Sequence, residues 1–284
     1  MELLNNNMNE KDFGFFNKNI KHSLKRPLAD RIRPQKLKDV IGHNNTLGPE
    51  SALYKQINSG FLPSLLIWGP PGVGKTTVAR VIAAEVDYNF ISVSAVTSGV
   101  KEVREIIEHA REQISYHNKY TILFIDEIHR FNKAQQDALL HAVEEGIIVL
   151  IGATTENPSF EVISPLLSRC QVLKLNMLTE EDLHRIVKRA MKNDTLLKEY
   201  TISIKDENAL IFYCSGDARK LLNILEITFY LAEKEGKKCI IDEKLIKQAL
   251  DQNPLYHDKK GDYHYDTISA FIKRSKSSSS ICLT

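Results

Sequence analysis

The chain has 284 residues, 43% hydrophobic and 26% charged, which is long enough to bury a sizeable core in one or two domains and too mixed to be fibrous. Lys and Arg number 38 against 36 Asp and Glu, so any contact with nucleic acid must come from a local patch rather than from net charge. No run approaches the ~18 apolar residues of a membrane span, no signal-peptide core opens the chain, and Cys170, Cys214, Cys239 and Cys282 form no CxxC pair; membrane and secreted classes are excluded and a reducing cytoplasm is expected.

In chain order, residues 1–24 are polar and Asn-rich and predict a disordered leader. Residues 25–175 alternate short apolar runs with helical periodicity, the pattern of a parallel α/β sheet. Strands are predicted at Ser64–Trp68, Phe90–Val93, Thr121–Ile125, Ile147–Ile151 and Gln171–Leu175. The first runs into GPPGVGKT (Gly69–Thr76), and the helical run TVARVIAAEV follows. Strand, glycine-rich turn and helix in that order predict a P-loop for the phosphates of ATP. Backbone N–H groups of Gly69, Gly72, Val73 and Gly74, with Pro70 and Pro71 stiffening the turn, would wrap the phosphates at the helix's positive dipole end. Lys75 would neutralise the β- and γ-phosphates and the Thr76 hydroxyl would ligate Mg2+, with Thr77 beside it in the first turn.

Val103, Ile106, Ile107, Ala110 and Ile114 then recur at the spacing of a crossover helix. Lys101, Arg104 and Arg111 on that helix offer phosphate contacts to DNA, while Glu102, Glu105, Glu108 and Glu112 make a solvated, charge-laced face an equal reading. TILFIDEIHR (Thr121–Arg130) delivers Asp126 and Glu127 at a strand's C-terminal edge, where open α/β sheets bind ligands. Asp126 would hold Mg2+ and Glu127 would polarise the attacking water. His129 is expected to pack or hydrogen-bond locally, and Trp68 and Cys170 to fill core. VLIGATTENP (Val149–Pro158) places Thr155 beside the γ-phosphate, with Thr154 and Asn157 as neighbours.

After Leu175 no further strand is predicted. Leu183, Ile186, Val187, Ala190 and Met191 form one helical stripe, Ala218, Leu221, Leu222, Leu225, Phe229 and Ala232 a second, and Leu245, Ile246, Ala249 and Leu250 a third. These predict an all-helical lid over residues 176–250. Residues 251–284 lose the periodicity and end in RSKSSSSICLT, too poor in apolar side chains to pack.

These pieces, in this order, resemble the AAA+ ATPases of the clamp-loader branch. LADRIRPQKLKDVIGH (Leu28–His43) is similar to the family's box II, which implies that Val40 and Ile41 lie against the adenine. SPLLSRC (Ser164–Cys170) resembles the arginine-finger motif, with Arg169 acting on a neighbouring subunit's nucleotide. SGDARKLLN (Ser215–Asn223) resembles sensor 2, with Arg219 reaching the γ-phosphate in its own subunit and Asp217 also fit to cap the helix. SAVTSGVKEVREIIEHAR, DEIHRFNKAQQDALLHAVEEG and IGATTENPSFEVISPLLSR narrow the likeness to the replication-associated recombination protein A family, whose eukaryotic relative is the Werner helicase-interacting ATPase; coverage runs from about Lys25 to about Lys273. The resemblance implies a DNA-dependent ATPase at stalled, gapped or forked DNA, working in replication, recombination and repair. It further implies single-stranded-DNA-binding protein as a partner, a homo-oligomer and a nucleoid-associated cytoplasmic location. YHYDTISAFIK (Tyr263–Lys273) opens the family's oligomerisation region, so a chain ending at Thr284 is expected to be C-terminally truncated and its assembly altered. Two rivals stand beside this expectation: a nucleotide-binding scaffold with idle chemistry, and a clamp-loader or branch-migration type of motor. A DExH helicase, suggested by DEIH, lacks room for a second RecA-like domain.

Overall fold

A computed structural model describes residues 26–251. The disorder expected of the leader 1–24 and of the Ser-rich end, and the family-like segment Tyr263–Lys273, fall outside the described residues.

The chain opens with the short helices α1 (Leu28–Arg31), α2 (Asn44–Leu47) and α3 (Ala52–Asn58). The α/β part follows as β1 (Leu65–Trp68), α4 (Lys75–Val86), β2 (Asn89–Ser94), α5 (Val100–His117), β3 (Thr121–Asp126), α6 (Lys133–Glu144), β4 (Ile148–Thr154), α7 (Pro158–Glu161), α8 (Ser164–Leu167) and β5 (Gln171–Lys174). All five predicted strands are present, in one parallel sheet ordered β2-β3-β4-β1-β5. Strands of such a sheet are covered on both faces and so read as apolar runs without alternation. Leu65, Leu66 and Ile67 of β1 are fully buried, as are Ile122, Leu123 and Ile125 of β3.

One face packs on α4 through Val78, Ala79 and Ile82, the other on α5 and α6 through Val103, Ile107, Ala110, Leu139 and Ala142. A side chain at Gly152 in β4 would press on Ile128 and Leu66 at 2.8 Å, so the strand must carry glycine where the turn after β3 crosses it. Helix α6 starts in a reciprocal capping box between Asn132 and Gln135.

Beyond β5 lie α9 (Glu180–Asn193), β6 (Thr201–Ile204), α10 (Glu207–Cys214), α11 (Ala218–Leu231), β7 (Lys234–Glu235), β8 (Lys238–Ile241) and α12 (Glu243–Asp251). The three predicted stripes bury Leu183, Val187, Ala190, Leu221, Leu225, Phe229, Ile246 and Ala249 together. The expectation that strands stop at Leu175 is corrected: a second sheet, ordered β6-β8-β7, lies among these helices. Its strands are two to four residues long, too short to show a period against the helical stripes around them.

Leu28 and Ile32, from the start of the described chain, belong to this helical core and not to that of the first sheet. Arg31 fixes them there. Its guanidinium, 4% exposed, reaches Asp194, itself fully buried, at 2.7 Å and Glu226 at 2.7 Å, while Leu28 N–H donates to Glu226 at 2.9 Å. The described residues therefore start in the lid, cross to the sheet module by Leu37, and return to the lid by Leu178. Among the described residues no helix is long and apolar enough to cross a membrane.

Candidate nucleotide site

At the C-terminal edge of the parallel sheet, β1 ends at Trp68 and the chain turns through Gly69–Gly74 into α4. Gly74 caps that helix with φ 100°, a backbone conformation side chains resist. The free N–H groups of the first turn thus open on the loop. Lys75, 8% exposed, folds back: its Nζ donates to Gly69 O at 2.8 Å and Pro70 O at 2.9 Å. Burial holds its pKa below the usual lysine value, against the pull of Glu127 and Asp126. A cleft of about 380 Å³ stands over the loop, lined from the sheet side by Pro71, Gly72, Gly74, Lys75, Thr76, Thr77, Asp126 and Glu127 and from the lid side by Ala218, Arg219, Leu222 and Asn223.

Asp126 closes β3 and its carboxyl pKa is raised, by burial first and then by the charge of Glu127. Glu127 takes the left-handed conformation, φ 55°, which aims the next turn across β4. Thr155 Oγ1 donates to Glu127 Oε2 at 3.4 Å. Thr154, fully buried, bonds to His129 Nδ1 at 2.9 Å, so His129 does bond locally. Asn157 turns away from the cleft group and caps α7 through Ser159 N–H.

Beside the polar cleft lies an apolar pocket of about 100 Å³, which shares Gly74, Thr77, Ala218 and Leu222 with it. Val40 and Ile41 line it with Val73, Leu178 and Ile186. His43 Nε2 lies 3.1 Å from Val73 O and pins the P-loop to the segment carrying Val40 and Ile41; burial lowers the pKa of that imidazole. Arg189 of α9 donates to Asp39 O from the lid side.

Asp217 caps α11 by accepting from Lys220 N–H at 2.8 Å, as expected, and it is pressed on the P-loop. A Cβ at Gly72 would lie 1.9 Å from Asp217 Oδ1, and Ala218 N–H donates to Gly72 O at 3.2 Å. Arg219, two residues on, lines the cleft. Arg169 does not. It pairs with Glu144 at 2.5 Å and donates to Pro165 O at 2.9 Å and to Ser168 Oγ at 3.2 Å.

Trp68, expected in the core, is half-buried, with Lys174 Nζ 5.0 Å above its ring; as the last residue of β1 it caps the sheet edge instead of filling a face. Cys170 is half-buried and burial pushes its thiol up to about 12, which leaves it inert. On α5, Lys101 faces Glu105 at 3.7 Å and Arg111 faces Glu145 at 3.1 Å, the laced face of the bland reading.

Sequence reasoning missed His43, the Gly72–Asp217 contact and the wall formed by Ala218, Leu222 and Asn223. The last had a signal: residues 218, 219, 222 and 223 share one helical face. The first two join segments far apart in the chain and carry none.

Residues 65–176 match the family of ATPases associated with various cellular activities, and residues 197–275 match the AAA C-terminal domain. The chain is similar to replication-associated recombination protein A of Escherichia coli K12, 44% identical over 258 residues that make up 89% of this chain and 57% of that protein. It is likewise similar to ATPase WRNIP1 of Dictyostelium discoideum, 41% identical over 92% of this chain and 32% of that one. Among solved structures it resembles the Thermotoga maritima RuvB Holliday junction branch migration motor, with a TM-score of 0.61 and 29% identity over 78% of this chain and 72% of that one. The chain spans a little over half the length of the bacterial recombination proteins it matches.

Proposed function

We propose, from the premise that this chain belongs to the AAA ATPase family, that it binds ATP in this cleft and hydrolyses it in the service of replication-associated recombination. The observation that best supports this is a polar cleft holding Lys75, Thr76, Asp126, Glu127 and Arg219, with an adjoining apolar pocket that shares part of its wall and holds Val40 and Ile41. The phosphates lie along Gly69–Thr77, with Lys75 leaving its two carbonyls for the β- and γ-phosphates. Val40 and Ile41 cover the adenine. Glu127 accepts the proton of the attacking water, Thr155 orients the γ-phosphate end, and Arg219 brings a guanidinium from the lid.

Mg2+ fits the donors present. No group of three or more His, Cys, Asp or Glu gathers for a metal among the described residues, and this ion takes one or two protein oxygens plus phosphates; Thr76 and Asp126 supply those oxygens, and the bound ion offsets phosphate charge.

The partner is DNA in gapped, forked or single-stranded form, by likeness to relatives named for replication-associated recombination and for branch migration. Single-stranded-DNA-binding protein is a further partner, and the setting is the cytoplasm at the nucleoid. Hydrolysis takes place between copies of the chain, with Arg169, which lies outside its own cleft, exchanging its partner Glu144 for a neighbour's phosphate. The test is Glu127→Gln, which retains ATP binding and loses turnover; wild-type turnover in that variant sinks the assignment. Gapped DNA at low salt raises wild-type turnover, and Arg169→Ala removes the rise.

One observation favours a second reading, a nucleotide-binding subunit without turnover of its own: Arg169 is engaged by its own Glu144. Light scattering with ATP separates the two, since a strict monomer at micromolar concentration with ATP bound and unhydrolysed is the outcome of the second.

A further inference from the structure

His129 has no part in the reaction proposed above, yet its ring lies against the base. Nδ1 is 3.2 Å from Glu127 Oε2 and 2.9 Å from Thr154 Oγ1. That approach to Glu127 is an ion-pair distance, and because an ionised carboxylate can only accept, it becomes a hydrogen bond only with the ring proton on Nδ1. The Thr154 hydroxyl accepts Glu156 N–H at 3.0 Å and donates to Glu156 O at 3.4 Å. Its proton and one lone pair are thus met by Glu156, and the Nδ1 contact falls on the other lone pair, as it does when Nδ1 is the donor. Thr155 Oγ1 donates to that same Oε2 at 3.4 Å. Two polar groups, the His129 Nδ1 and the Thr155 hydroxyl, approach one oxygen of Glu127, and neither engages Oε1.

The surroundings are stiff. Thr154 is fully buried at the end of β4, and the His129 side chain is 15% exposed. Glu127 is a non-glycine residue with φ 55°, a conformation that persists only where neighbouring contacts over-determine it.

We propose that His129 is a positioning residue for Glu127. It holds Oε2 against the end of β4, fixes the carboxylate plane, and leaves Oε1 to receive the proton of the attacking water. The inference rests on the reading of Glu127 as the base and is testable separately from it.

His129→Ala frees the carboxylate, while His129→Asn sets an amide Nδ2 close to the place of Nδ1 and keeps a donor there. Measured on the full chain with Mg·ATP, His129→Ala lowers kcat at least about tenfold, a part of the ~10²–10⁴ a positioned base contributes. The KM for ATP stays within about twofold, since the contact acts in the transition state and not on binding. His129→Asn recovers most of the loss. Turnover of the Ala variant within about twofold of wild type, or equal impairment of Ala and Asn with a matching fall in Tm, overturns the proposal. Glu127→Gln run in parallel keeps the two ideas apart. If it turns over like wild type, the base assignment fails; if it is dead while His129→Ala is active, only the positioning role fails. A readout free of turnover is the imidazole 15N spectrum, assigned by the signal missing in His129→Asn. It shows the Nδ1–H tautomer, and an Nε2–H tautomer at His129 would overturn the proposal even in a chain with no hydrolysis.

Discussion

The floor of the cleft and its roof are made in different ways. The floor is three contiguous motifs, each a buried strand that ends in its functional residues: Trp68 into the P-loop, Ile125 into Asp126 and Glu127, Thr154 into Thr155. Its geometry follows from the parallel register of neighbouring strands. The roof is a separate core, held over the floor by the Gly72 contact with Asp217 and Ala218 and tied to the first helix by Arg31, Asp194 and Glu226. A local build survives most changes elsewhere, whereas a joint between two cores rests on a handful of groups.

Breaking the strut should have the largest effect. Asp194→Ala leaves Arg31 buried with half its partners and is expected to cost about 3–5 kcal/mol in unfolding free energy, read by urea denaturation. A loss under about 1 kcal/mol would mean the roof does not depend on this pair. Lys75→Ala is the counterpart in the floor. It removes turnover on the order of 10²–10³-fold, the scale of deleting one contact to a developing charge, while Tm stays put; a Tm that falls in step would erase the contrast. Gly72→Ala strikes the joint itself. Its Cβ would overlap Asp217 Oδ1, and the residue has φ 71°, so overpacking of about 1–3 kcal/mol is expected to displace the lid and weaken ATP binding about tenfold, measured by titration calorimetry.

The smallest effect is gradual and concerns acid. Burial alone would raise the Asp194 carboxyl, but hydrogen bonds from Arg31 and from Leu197 N–H override it, and the folded pKa lies below the ordinary value. Such a group contributes stability that is present above its unfolded pKa of ~3.9 and is lost as pH falls toward the folded value. The Tm gap between wild type and Asp194→Asn should therefore be constant from neutral pH to about 4 and shrink below it. A gap that widens in acid would contradict the assignment.

The same division explains what could be read in advance. The five strands and the cleft floor were legible because fully buried parallel strands announce themselves as apolar runs, and each run delivers its motif at a fixed edge. The helical stripes of the lid were legible too, down to Asp217 as a cap. The small sheet was not, since Thr201–Ile204 and Lys238–Ile241 are each one short run. Nor was the membership of Leu28 and Ile32 in the lid core, because a helix of four residues has no period. His129 illustrates the limit well: its type and neighbours in sequence say only that it bonds nearby, and its value comes from Thr154, 25 residues away.

The double crossing of the chain has a mechanical consequence. A lid joined by a single linker can swing, slide and twist. Here Ile32 to Leu37 and Leu175 to Leu178 are both short spans between the two cores, so the lid is a panel on two hinges. Two short tethers favour rotation about the line through those two points and limit translation across the sheet edge to the slack of a few residues. Groups near that axis then move least and groups far from it sweep the widest arc.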